Sequence, residues 1–182
     1  MRNQVTSAGL QEFIAGLGTA TRTKARVYLV GGASAVLLGW RNSTIDVDLK
    51  FVPESDELLR SLPTLKERLQ MNIELASPDN FIPPLPGWEE RSPFIQHQGT
   101  IDFFHYDFYA QALAKIERSH AHDRQDVQEM IERGLVEPKR LIELFVAIED
   151  QLYRYPALNG ASFRQAVEQV VNEAGFDLKT IE

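Results

Sequence analysis

Residues Val27–Phe51 read VYLVGGASAVLLGWRNSTIDVDLKF, and the fold of the chain turns on how this stretch is read. Val27–Val30 is a short apolar, β-rich run, and Gly31-Gly32 breaks it. Ala33–Leu38 reads as a helix with Gly39 near its end. Ile45–Val52 then alternates: Ile45, Val47, Leu49 and Phe51 fall on one side, Asp46, Asp48 and Lys50 on the other. That period of two predicts a half-buried strand.

The chemistry of this unit follows from its geometry. Glycines at 31 and 32 let the chain turn sharply and bring backbone N–H groups close to a ligand with no Cβ in the way. The helix that follows offers unpaired N–H groups to an anion, and Ser34 adds a hydroxyl donor. Asp46 and Asp48 leave one face of the strand about 6.6 Å apart. Two desolvated carboxylates at that spacing repel and favour a cation. As oxygen ligands they suit Mg²⁺, or Mn²⁺, which keeps waters and takes substrate phosphates as further ligands. A phosphate-holding turn beside a carboxylate pair is the equipment of phosphoryl or nucleotidyl transfer.

Outward from this unit, the residues before it predict a helix over 8–17, with Leu10, Phe13, Ile14 and Leu17 in helical spacing and Gly18 as its stop. After it, 55–69 reads as a helix interrupted at Pro63, and 71–75 as a strand. Pro78, Pro83, Pro84, Pro86 and Pro93 make 77–93 a long loop. Residues 94–97 and 100–108 predict a hairpin around Gln98-Gly99. The remainder is helical. It has segments over 108–118 and from Asp123, as N-cap, to just before Gly134. A third starts with Pro138 at its first position, and a last is capped by Ser162-Phe-Arg-Gln165. The expected fold class is α+β, a central mixed sheet flanked by helices over 1–108, with a helical C-terminal region over 109–182 packed on it.

Composition narrows the function classes. The 182 residues contain no cysteine, so disulfides, thiolate metal sites and cysteine nucleophiles are excluded. No apolar run reaches membrane-spanning length, and the start, MRNQVTSAGLQEF, lacks the basic-then-apolar form of a signal peptide; a cytoplasmic protein is expected. The net charge is −7, yet the first 50 residues carry +3. Long duplex DNA is therefore a poor partner, while a local pocket for a small polyanion near the N-terminal part is compatible with the charge.

On Gly31, Gly32 and Ser34, followed by Asp46-Val47-Asp48, the chain resembles the nucleotidyltransferase superfamily with the polymerase-beta-like fold. Arg41, Ser43 and Thr44 ahead of the acid pair make it most similar to the AbiEii-like and uncharacterised bacterial branches. The resemblance implies that Asp46 and Asp48 hold Mg²⁺ and that a nucleoside triphosphate lies against Gly31, Gly32 and Ser34. Arg41, Ser43 and Thr44 would then stand beside its phosphates. It also implies transfer of a nucleotidyl group to a hydroxyl acceptor. A third carboxylate is expected on a later strand: Glu74 in Ile73-Glu74-Leu75, with Asp102 and Asp79 as rivals. A helical lysine, here Lys115, followed by Asp123-Arg-Gln-Asp126, matches the pattern of that branch. The acceptor stays open between an RNA end, a protein hydroxyl and a small molecule. Membership of a toxin–antitoxin or defence module with a partner protein encoded nearby is a second reading, and a nucleotide- or protein-binding module without catalysis is a third.

Overall fold

The computed structural model describes residues 4–178. In chain order the elements are α1 (Ser7–Ala20), β1 (Ala25–Val30), α2 (Gly32–Leu38), β2 (Asp46–Val52), α3 (Asp56–Leu69), β3 (Asn72–Leu75), α4 (Trp88–Arg91), β4 (Phe94–Gln98), β5 (Ile101–His105), α5 (Phe108–Arg118), α6 (Ala121–Glu132), α7 (Pro138–Glu149) and α8 (Gly160–Glu173). The five strands form one mixed sheet in the order β3-β2-β1-β5-β4. β1 runs antiparallel to β2 and parallel to β5; β2 and β3 are parallel, and β4 and β5 form an antiparallel hairpin. The expected class, a mixed sheet flanked by helices with a C-terminal helical region α5–α8, is the architecture found.

The chain divides into two compact units. The first comprises the chain up to Ser77 together with Ser92–Tyr106, and holds the whole sheet with α1, α2 and α3. One sheet face is apolar because the odd positions of the strands are: Val27, Leu29, Val47, Leu49, Phe51, Ile73, Ile101 and Phe103 are all buried. Leu10, Phe13, Ile14 and Leu17 of α1 and Leu58, Leu62 and Leu65 of α3 join the same core. The second unit comprises Pro78–Arg91 with the chain from Asp107 onward. There α5 packs with α6 and α8, and α7 with α8; the Phe145 and Phe163 rings meet edge to face at 4.9 Å.

Five local expectations are corrected. Gly18 does not stop α1, which runs on to Ala20; a Cβ there would stand 2.7 Å from the Gln98 carbonyl oxygen, so the glycine permits close approach to the β4–β5 turn. Pro63 lies inside an unbroken α3. It faces solvent while Leu62 and Leu65 beside it are buried, and that burial offsets the missing N–H bond. The strand β5 ends at His105, and Asp107 is the N-cap of α5, accepting from Tyr109 N at 3.2 Å. Asp123 is not an N-cap: α6 starts at Ala121 behind His120. Likewise α8 is capped by Asn159, whose Oδ1 accepts from Ser162 N at 2.9 Å.

Candidate functional site

The site begins where β1 ends. Gly31 adopts φ 58° and ψ −122°, a backbone state that a residue bearing a Cβ rarely takes. Its carbonyl accepts from Ala35 N at 3.0 Å, the first bond of α2. Register places Asp48 opposite Val30, one residue before this turn. A Cβ built on Gly31 would stand 3.8 Å from Asp48 Oδ2. The glycine turn and the second aspartate thus lie against each other within the first unit.

Asp46 and Asp48 are both half-buried on the polar face of β2, with Val47 and Leu49 buried opposite. The parallel register sets Asp48 beside Glu74 and Asp46 beside Asn72, so four polar side chains share one face across two strands. Asn72 Nδ2 donates to Asp46 Oδ1 at 2.5 Å and to Glu74 Oε1 at 2.8 Å. One amide therefore joins two of the carboxylates. Asn72 was not among the residues singled out from the sequence; its only signal is its place two before Glu74 on the same strand face.

Of the alternative acids, Asp102 stands apart from this group. It pairs with Arg26 across β1 and β5, and Arg26 in turn with Val52 at the far end of β2; its Oδ1 lies 2.7 Å from His97 Nδ1. Asp79 belongs to a short 3₁₀ turn, Pro78–Asn80, of the second unit.

Ser34 is turned inward. Its side chain is fully buried, with Oγ donating to the Leu29 carbonyl at 3.1 Å and lying 2.9 Å from His105 Nδ1. Its hydroxyl is thereby engaged inside the core. Ser43 Oγ donates to Gln4 Oε1 at 3.0 Å, and Thr44 Oγ1 to the Asp46 carbonyl at 3.1 Å. Thr44 also bridges to Val5 through a pair of backbone bonds of 2.7 and 2.9 Å. Arg41 is half-buried on the turn after α2, with its N–H donating to the Ala35 carbonyl at 3.3 Å.

Lys115 lies in the second unit, on α5, with its side chain buried. Its Nζ donates to Asp123 Oδ1 at 3.0 Å and Asp126 Oδ2 at 2.8 Å. Arg118 adds a two-pronged contact to Asp123 at 2.9 and 2.8 Å. Burial pushes the Asp123 carboxyl up, but the Arg118 and Lys115 partners outweigh it and hold it below the ordinary carboxylate value. His105, in the first unit, is driven by burial down to a pKa of about 4, so it is neutral at physiological pH.

The donor set can be tested against a divalent cation. Among the described residues no group of three or more His, Cys, Asp or Glu side chains is disposed to hold a metal ion. Mg²⁺ does not demand one: it is commonly bound through one or two carboxylates with waters and substrate phosphates completing the octahedron. Asp46 and Asp48 on one half-buried face, beside a backbone turn with no side chain, fit that mode. Also among the described residues, no helix is long and apolar enough to cross a membrane.

No curated protein and no solved structure matches the chain. Residues 8–173, which include the whole Gly31–Asp48 unit, Glu74 and the Lys115 cluster, match the family described as "Nucleotidyltransferase of unknown function (DUF6036)", and the chain belongs to that family.

Proposed function

We propose that the protein is a divalent-metal-dependent nucleotidyltransferase that passes a nucleotidyl group from a nucleoside triphosphate to a hydroxyl acceptor. The observation that carries this reading is the approach of Asp48 to Gly31, where a Cβ would stand 3.8 Å from Asp48 Oδ2. A triphosphate laid along the Gly31 backbone would have its phosphates beside the aspartate pair, with Thr44 packed against Gly32 on the flank. Asp46 and Asp48 would hold Mg²⁺, which when bound offsets the charge of the phosphates and of the departing pyrophosphate. Asn72 fixes the Asp46 carboxylate by a hydrogen bond. Glu74, tied to the same amide and exposed at the sheet edge, would accept the proton of the acceptor hydroxyl. In this reading Ser34 would support the turn from behind, and Thr44 and Ser43 would brace the start of β2.

Titration calorimetry with ATP, GTP, CTP and UTP in the presence of Mn²⁺ tests it. Binding that disappears in the Asp46→Asn/Asp48→Asn protein supports the site; unchanged binding in that double variant sinks it. A second reading, a nucleotide-binding module without transfer, is favoured by the absence of a three-acid cluster among the described residues. Incubating α-labelled triphosphates with the protein and a cell extract separates the two. Label moved onto an RNA end, a protein hydroxyl or a small molecule selects the transferase and identifies the acceptor class.

A further inference from the structure

We infer that His105 is a positioning residue, whose ring holds the Gly31–Gly32 turn in its ligand-ready form through the hydroxyl of Ser34. The inference rests on the reading above that this turn receives a triphosphate. Its geometry is independent of that reading.

Ser34 has one hydroxyl proton, and it is used toward the Leu29 carbonyl at 3.1 Å. At the 2.9 Å contact with His105 Nδ1, the Ser34 oxygen can then only accept. With the Ser34 proton directed to Leu29, the ring is the tautomer with its proton on Nδ1. The neutral imidazole therefore acts as a fixed donor. The Leu29 carbonyl also takes the Tyr106 N–H at 2.9 Å, and Leu29 and His105 are register partners of β1 and β5. The outcome is a bracket: β5 holds His105, His105 holds Ser34, and Ser34 ties the first turn of α2 back to the last residues of β1. Gly31 and Gly32 lie inside the loop so closed. Glycine is the residue with the most backbone freedom to lose, so two in succession need such a restraint to hold one conformation. All three groups are buried, where a hydrogen bond is not in competition with water.

Asparagine at 105 can place an amide N–H where Nδ1 stands, whereas glutamine reaches to the position of Nε2. The test compares His105→Asn, His105→Gln and Ser34→Ala for binding of ATP with Mn²⁺ by calorimetry, with melting temperatures measured alongside. Glutamine and Ser34→Ala are expected to weaken binding about tenfold and asparagine less than about threefold, the scale of one buried hydrogen bond. Asparagine and glutamine proteins that bind alike, although both are folded, overturn the inference. If the glutamine protein does not fold, Ser34→Ala against wild type decides in its place, and equal binding overturns. A wild-type protein that binds none of the four triphosphates defeats the proposed function instead. The bracket is then judged by hydrogen exchange at the Ala35 amide, which bonds to the Gly31 carbonyl. Faster exchange with glutamine than with asparagine upholds it; equal rates overturn it.

Discussion

A Cβ placed on Gly32 would stand 2.8 Å from the Cβ of Thr44. The turn that begins α2 and the residue two before Asp46 therefore touch with no space for a methyl group. Gly32→Ala is expected to lower stability by about 2 kcal/mol, the usual cost of overpacking. Gly32→Ala/Thr44→Gly should recover more than half of the loss, measured by urea unfolding. Additive losses in the double variant would show that the two residues are not in contact.

Asn72 donates to both Asp46 and Glu74. Asn72→Asp replaces that donor with a third negative charge between two others. In chelator the variant is expected to be less stable than wild type by about 1 kcal/mol or more. Millimolar Mn²⁺ should restore the loss, because the added carboxylate is one more oxygen ligand. A melting curve unmoved by Mn²⁺ would count against metal binding on this face.

The buried, neutral His105 makes stability depend on acidity. Its folded pKa of about 4 lies below its ordinary value of 6.5, so between these values the unfolded chain binds the extra proton. Stability is fully present above pH 6.5 and is lost as pH falls toward 4, by on the order of 3 kcal/mol. His105→Asn has no proton to take up and should flatten that slope. Unfolding free energies at pH 7, 5.5 and 4.5 that fall equally in both proteins would refute the assignment.

Lys115 bridges two buried carboxylates. Lys115→Met removes the cation the two carboxylates share and leaves Arg118 beside Asp123, and should cost about 3–5 kcal/mol at pH 7. The Asp123 carboxyl is held below its ordinary value, so its stabilising contribution is present above that value and lost as pH falls through the folded one. The gap between wild type and variant should narrow below pH 4. Lys115→Met/Asp123→Asn/Asp126→Asn should be more stable at pH 7 than Lys115→Met alone; a further loss would point to a role other than charge compensation.

The elements that could be read from local pattern were those in which the pattern is itself the cause. Alternation over Val47–Phe51 puts apolar side chains on one face whatever the rest of the chain does. A Gly-Gly pair at a strand end produces a turn by backbone freedom alone. Other features depend on what arrives from far along the chain. Pro63 looked like a break because the burial of Leu62 and Leu65 that offsets it is a property of the assembled core. Gly18 looked like a stop because the neighbour it makes room for, Gln98, is distant in sequence. Ser34 was assigned to a ligand because its partner His105 lies 71 residues away. Asn72 carried no signal of its own, since its role arises only once β3 is registered against β2.

The second unit draws its residues from either side of the strand pair β4–β5: Pro78–Arg91 comes from before the hairpin and α5–α8 from after it. No single cut in the backbone can therefore release one unit whole. A chain ended at Tyr106 would carry Pro78–Arg91 stripped of its packing mates, and one begun at Asp107 would lack that piece. Each unit is whole only when both are made as one chain.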